Sequence, residues 1–387
     1  MTVFNPRLPG LSRRTFLQVS AAGVVTATVL GSGRAMADPY SKFTWISPRG
    51  TLEVLDDFGY WMGKKLGYFD ALGIETEMQP GPSDGTATVK FVDVGQADMG
   101  FPSPGIFSFA LENGMKLKSA FHWGARDTFS LAFRKGEGSN DLKKLEGKTI
   151  LLGSAAWQSI VDPMLAAQGV DITKVKYVEA GWPTWGTALA GGQGDAALAW
   201  EGLRAEWIST GLDFEYWLGV QHSPLVANTY VVRAADLDDP DRKAFLDKYL
   251  RAWSMGLEAS YHNPMAAVHA VFEQFPSVAQ ANGPERGAMS MLQNLNVVRG
   301  DMSKRKGWGD HDMAAWQTFF DLVYKLGQIK NPVKAEDVCT NACIAAANDF
   351  DHDKVKADAL AVQLPADLAA VDLEALKAKL FDQAIPA

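Results

Sequence analysis

Gly95-Gln96-Ala97-Asp98 and Gly192-Gln193-Gly194-Asp195 share the pattern Gly-Gln-x-Asp and begin 97 residues apart in a chain of 387. Each ends an apolar helical stretch and opens a short apolar strand, Met99-Gly100-Phe101 in the first copy and residues 196–200 in the second. A glycine just past a helix takes the left-handed conformation that terminates it without steric penalty. The strands that follow carry Phe101-Pro102-Ser103 and Trp200-Glu201 at their carboxyl ends, where open α/β sheets bind ligands. The repeat therefore predicts two similar lobes with a ligand between them.

Outward from the motifs, the elements come in the same order twice. The first unit has a strand over 43–47 and a helix over 52–66, with Leu55, Phe58, Met62 and Leu66 on one face and Gly67 as its stop. A strand over 74–78 follows, then a turn at Pro80-Gly81-Pro82-Ser83, and a helix capped by Asp84 that runs to Val94. The second unit has a strand over 149–152, a helix ending near Gly169, a strand over 175–178 and a helix from Trp182 or Thr184 to Gly191. Pro163 kinks the first of these helices or moves its start toward Ser159. Two βαβαβ units argue for an α/β chain with two parallel or mixed sheets. Residues 129–134 and 228–233 flank the second unit and are the expected crossovers. The chain from Asp241 is helical in pattern and is expected to pack back on the first lobe. The resulting division is 1–37, 38–132 (first lobe), 133–229 (second lobe) and 230–387.

Residues 1–37 form an export signal. Ser12-Arg13-Arg14-Thr15-Phe16-Leu17 has the twin-arginine form, an apolar run spans 19–30, and Ala35-Met36-Ala37 is a small-x-small cleavage site. The mature chain is expected to start at Asp38. Removing the four signal arginines from 37 basic residues leaves 33 against 45 acidic, a net charge of −12. So acidic a chain does not suit nucleic acid or an anionic membrane as partner. Cys339 and Cys343 are the only cysteines; a small loop disulfide is slightly favoured over free thiols, although an i,i+4 pair in a regular helix meets disulfide geometry poorly. The six histidines lack zinc spacing, and the chain has no nucleophile elbow, phosphate loop or dinucleotide fingerprint. Asp351-His352-Asp353 lacks the spacing of a calcium loop and is better taken as a helix start. No metal, cofactor or enzymatic activity is expected.

Twelve tryptophans are the unusual feature of the composition. Trp45, Trp123, Trp157, Trp182, Trp185 and Trp200 fall near strand ends, and Trp45 and Trp200 are expected to face the cleft. Gly153-Ser154-Ala155-Ala156 joins a strand to a helix and offers free N–H groups to an anion, with Ser154 and Ala155 at the ligand. Ser47 and Arg49 after the first strand, with Ser103, suit a ligand carboxylate or sulfonate, because a guanidinium fork matches such oxygens. Glu201 accepts from a ligand amine or pairs with a nearby arginine. Phe101 and Asn228, at the head of the second crossover, complete the candidates.

Gly67-Tyr68-Phe69 before Gly73-Ile74, the first Gly-Gln-x-Asp, and the second followed by Ala199-Trp200-Glu201 resemble the nitrate/sulfonate/taurine-type substrate-binding proteins of ABC importers. The resemblance runs from Trp45 to Arg233. It implies a type II periplasmic binding fold with two hinge crossovers, a ligand in the cleft, and a permease with its ATPase as partners of a monomeric periplasmic protein. By position it places Ser47, Arg49, Ser103, Ser154, Trp200 and Glu201 at the ligand. Thiamine-pyrimidine synthases share the fold, but their cysteine-rich motif is absent here. The expected function is capture of a small organic ligand, anionic and aromatic or heterocyclic given the tryptophans. An aliphatic sulfonate such as taurine is the alternative, and an exported enzyme is the rival from another class.

Overall fold

Each motif aspartate ties its own strand to the first strand of its βαβαβ unit. In the computed structural model, Asp98 N donates to Thr44 O at 2.9 Å and Asp98 Oδ2 accepts from Thr44 N at 2.8 Å. Asp195 and Thr149 exchange the same two bonds, each at 2.8 Å. Gly95 and Gly192 end the preceding helices with φ of 75° and 80°, and both motif glutamines are exposed. The structure describes residues 40, 42–82, 86–381, 384 and 385. The export signal, Asp38, Ser83 and the Asp84 cap lie outside these residues.

The first sheet contains β1 (Lys42–Ile46), β2 (Glu75–Gln79), β3 (Met99–Gly100), β4 (Leu117–Phe121) and β10 (Tyr230–Arg233), in the order β2-β1-β3-β10-β4. The second contains β5 (Phe129–Arg134), β6 (Thr149–Leu152), β7 (Lys176–Glu179), β8 (Ala196–Trp200) and β9 (Phe214–Leu218), in the order β7-β6-β8-β5-β9. Four strands of each sheet run in one direction, and the fifth, β10 or β5, runs antiparallel to both its neighbours. These two strands close the duplication. Arg233 Nη1 donates to Val92 O at 3.0 Å and Ala97 O at 2.8 Å. Arg134 Nη1 donates to Leu189 O at 2.8 Å and Gly194 O at 2.6 Å. Both acceptor pairs are 97 residues apart, so one arginine satisfies the helix end and the motif carbonyl in each lobe.

Three expectations need correction. Residues 129–134 and 230–233 are not crossovers: 129–134 is β5 of the second sheet and 230–233 is β10 of the first, so only 228–229 of the expected segments lies between the sheets. Their aromatic and β-branched residues pair on both sides, and the chain changes sheets through 122–128 and 219–229. The helix expected from 52 begins at Phe58, because Glu53 N bonds Thr51 Oγ1 at 3.0 Å and such a local turn competes with the helix. Cys339 and Cys343 are free buried thiols. They belong to different apolar clusters, and burial pushes both thiols up. Asp351 does start a helix, accepting from Lys354 N at 2.9 Å. Among the described residues no group of three or more His, Cys, Asp or Glu is placed to hold a metal ion. Among the same residues no helix is long and apolar enough to cross a membrane.

Helices of the C-terminal region pack on the strands of the first sheet. Tyr249 stacks on Phe43 at 3.7 Å between ring centroids, and Trp253 lies 5.8 Å from Trp45. Helix Pro240–His262 approaches helix Phe58–Lys65 closely, because Gly256 faces Gly59 with no side chain between them. A Cβ at Gly256 would lie 2.0 Å from the Gly59 carbonyl oxygen. Gly256→Ala is therefore expected to destabilise the chain by about 1–3 kcal/mol through overpacking, although alanine is the better helix former. Urea denaturation checks this; an unchanged or higher midpoint would show that the helices separate freely. The C-terminal region also reaches the second lobe, where Ile385 N donates to Tyr216 O at 2.9 Å.

Candidate functional site

The carboxyl ends of β1 and β3 face those of β6 and β8 across a cleft. Between them lies a cavity of about 80 Å³. By the same measure one water needs roughly 10–15 Å³, so the space matches a compact ligand. The first lobe supplies Arg49, Asp56, Phe101, Ser103 and Ile106; the second supplies Phe129, Trp157, Ile160, Leu198, Trp200 and Glu201. Trp123 and Thr128 come from the first crossing segment and Asn228 from the second, while Asn294 comes from the helix Pro276–Arg299. A second space of about 390 Å³ shares Arg49, Asp56 and Trp200 with the first and continues past Trp182, Glu53 and Glu206.

Arg49 has both Nη groups in ion pairs, while its Nε is buried with no partner in the protein. Its Nη2 lies 2.7 Å from Asp57 Oδ2 and its Nη1 3.3 Å from Asp56 Oδ2. The Asp57 side chain is 1% exposed, and burial pushes its carboxyl up against the pull of Arg49. Asp56 Oδ1 also accepts from Asn294 Nδ2 at 3.2 Å. Glu201 takes the second of its two expected fates, with Arg204 Nη2 at 2.7 Å and Nε at 3.1 Å, both side chains buried. Ser103 caps the helix Pro104–Glu112, its Oγ accepting from Ile106 N at 3.3 Å. Asn228 Oδ1 is buried with no partner in the protein.

Trp200 stands among three other indoles. It stacks with Trp182 at 5.7 Å and 9°, lies at 5.7 Å and 25° to Trp185, and meets Trp157 edge-on at 5.7 Å. Trp185 anchors the group by donating Nε1–H to Leu198 O at 2.8 Å. Such rings orient one another through their quadrupoles, so Trp200 presents a held face to the cleft.

Contacts between the lobes are close. A Cβ on Gly105 would lie 2.5 Å from Ser159 O. Pro163, inside helix Gln158–Ala167, has no N–H to donate to that carbonyl. Gly202 has φ of 90°, its N–H donates to Gln293 Oε1 at 2.9 Å, and its carbonyl accepts from Ser290 Oγ at 3.4 Å. The loop after β8 is thus gripped by the helix Pro276–Arg299.

Of the residues singled out from sequence, Arg49, Phe101, Ser103, Trp123, Trp157, Trp200, Glu201 and Asn228 line the inner cavity, and Trp182 lines the outer one. Trp45 does not face the cleft: it is fully buried against Phe101, Tyr230 and Trp253. Ser47 is buried as well, and its Oγ accepts from Arg49 N at 3.2 Å. Ser154 and Ala155 lie outside both cavity walls. A 3₁₀ turn over Ala155–Trp157 brings the indole forward instead, and Gly153 makes room for it, since a Cβ there would meet the Trp157 ring at 2.5 Å. Asp56, Glu206 and Asn294 were missed. The Asp56-Asp57 pair close after Arg49 was a signal for the first; nothing local marks Asn294 in the middle of its helix.

The sequence profile described as NMT1/THI5 like matches residues 56–267. Comparison with curated proteins finds no match. The structure is similar to the alkanesulfonate-binding protein SsuA from Xanthomonas axonopodis pv. citri bound to MOPS, with TM-score 0.60, 13% identity, and coverage of 79% of this chain and 99% of that one. It is similar to the periplasmic aliphatic sulphonate binding protein SsuA from Escherichia coli, with TM-score 0.54, 13% identity, and coverage of 77% and 91%. A conserved Candida albicans gene product with the generic periplasmic binding protein fold gives TM-score 0.56 at 11% identity, covering 78% and 96%. The fold is the two-lobed periplasmic binding fold.

Proposed function

The chain belongs to the NMT1/THI5-like family, and on that premise we propose that it is the periplasmic solute-binding component of an ABC importer. It captures a small organic ligand in the interlobe cleft, hands it to a membrane permease driven by an ATPase, and performs no chemistry on it. The observation that carries this reading is the cavity walled by both lobes, with Arg49, Asp56, Phe101 and Ser103 on one side and Trp157, Trp200 and Glu201 on the other. A ligand touching both walls favours the closed arrangement by its differential affinity, and closure is a hinge motion about 122–128 and 219–229. The twin-arginine signal delivers the chain folded, cut after Ala37. A sulfonate ligand is the second reading, favoured by the similarity to proteins named for alkanesulfonate binding.

Native mass spectrometry of the chain recovered from the periplasm is expected to show a retained small molecule. Its removal and return should change the tryptophan emission, a signal that Trp200→Phe reduces because that indole borders both spaces. No retained or rebinding compound, together with turnover of a substrate by the purified chain, would overturn the reading.

A further inference from the structure

We infer that the chain has a second ligand site, separate from the cleft, that takes a free amphipathic anion with its carboxylate or similar oxyanion at Arg126 and Arg299. The site is a space of about 730 Å³, against about 80 Å³ for the inner cavity of the cleft by the same measure. Both segments that join the sheets border it, one through Arg126 and the other through Val220 and Gln221. Helix Pro276–Arg299 supplies Leu292, Leu295, Asn296 and Arg299, which their i, i+3, i+4, i+7 spacing places on one face. Glu201 is the only residue that this space shares with the inner cavity of the cleft, and it shares none with the outer one.

Charge selects the head group. Arg126, Arg204, Arg299 and Lys377 border the space against one carboxylate, Glu201, in a chain with 37 basic and 45 acidic residues. Glu201 is paired with Arg204, Lys377 with the exposed Glu374 at 2.5 Å, and His262 lies 4.0 Å from Glu258. Arg126 Nη1 donates to Asn296 Oδ1 at 2.6 Å, and the Arg299 guanidinium lies 4.2 Å from the centre of the Tyr261 ring. Neither arginine has a carboxylate partner among the described residues. These neutral contacts orient both guanidinium groups without cancelling their charge, and such forks match the oxygens of an oxyanion. Gln293 adds a donor. It is 2% exposed, its Oε1 accepts from Gly202 N at 2.9 Å, and its Nε2 is buried with no partner in the protein. Among the described residues on these walls no other buried side-chain N or O atom is left so, and a buried donor is costly without an acceptor. The helix ends at this wall, but Val298 O and Arg299 O accept from Arg305 Nη1 at 2.7 and 3.1 Å, which offsets its negative pole. Leu218, Val220, Leu292, Leu295, Leu373 and Leu380 give the space its apolar surface, so the anion carries an alkyl or aryl body.

Calorimetry on the mature chain tests this with decanoate, kept below its micelle concentration, against decyltrimethylammonium, the cation of equal chain length. One decanoate per chain is expected to bind, roughly tenfold or more tightly than the cation, as charge-assisted hydrogen bonds allow. Arg126→Gln and Arg299→Gln should each weaken decanoate by about fivefold or more. Lys325→Gln, at an exposed lysine outside these walls, is the control for lost positive charge and should leave the affinity within about twofold. Circular dichroism checks that the variants fold, and the comparison of anion with cation needs no variant. Equal or tighter binding of the cation, an unchanged affinity for decanoate in either arginine variant, or an equal loss in Lys325→Gln overturns the inference. Several decanoate molecules per chain, or none at millimolar concentration, would do the same. Arg126 and Arg299 border neither space of the cleft, so decanoate held only there would leave both variants unchanged and count against the second site. Because the test does not involve the cleft ligand, its failure leaves the solute-binding reading intact.

Discussion

Arg49→Leu is expected to lower the stability of the chain by about 3–5 kcal/mol, the cost of breaking a buried ion pair by removing one partner. The arginine side chain is 12% exposed, Asp57 1% and Asp56 14%, so water restores little of what the guanidinium supplied. The damage is local and structural as well as electrostatic. Asp57 directly precedes helix Phe58–Lys65, and its carbonyl accepts from Tyr60 N at 3.1 Å and Trp61 N at 3.4 Å. Without Arg49 the buried Asp57 carboxyl rises further above the value it has in the unfolded chain. The folded variant then binds more protons than its unfolded form, and its stability falls as pH rises through that interval. The deficit should therefore be larger at pH 8 than at pH 5 in urea denaturation. A loss below 1 kcal/mol that does not change with pH would show that this ion pair does not hold the first wall of the cleft.

Gly202→Val should weaken ligand binding about 10- to 100-fold, since backbone strain of roughly 1–3 kcal/mol converts to that range. Two independent constraints meet at this glycine. Its φ of 90° is unsuited to a β-branched residue, and a Cβ would lie 2.9 Å from both Asp56 Oδ1 and Asn294 Nδ2. Those two side chains are where the second lobe meets the first lobe and the C-terminal helix, so the substitution opposes closure rather than the folding of either sheet. Calorimetry with the compound recovered by native mass spectrometry, alongside small-angle scattering with and without it, measures the effect. Affinity within twofold of wild type and unchanged compaction would show that the loop after β8 is free to shift.

The duplication was legible because its signals are local. Gly95 and Gly192 mark helix ends through a backbone conformation that glycine favours, and the apolar runs behind them mark strands whatever the rest of the chain does. The two-lobed fold follows from that order of elements. Arg134 and Arg233 were visible as the last residues of two extended segments, yet their shared task was not. Each reaches carbonyls from a helix distant in sequence, and only the antiparallel insertion of β5 and β10 brings them there. Those same strands looked like crossovers because a segment flanking a lobe and a strand buried within a sheet have similar composition.

The sequence by itself determined the two βαβαβ units, the helical return of the chain, and the strand ends that deliver Ser103, Trp200 and Glu201 to one cleft. Tertiary structure alone decided which candidates face that cleft and how their charges are spent. Trp45 and Trp200 both lie at strand ends, but Tyr230 and Trp253 cover one while the cleft leaves the other partly open. Arg49 has the chemistry of an anion site in the sequence and becomes an internal counter-ion only because Asp56 and Asp57 fold back onto it. Burial and charge balance are sums over residues remote in the chain, including Asn294 from the C-terminal helix, and no local pattern records them.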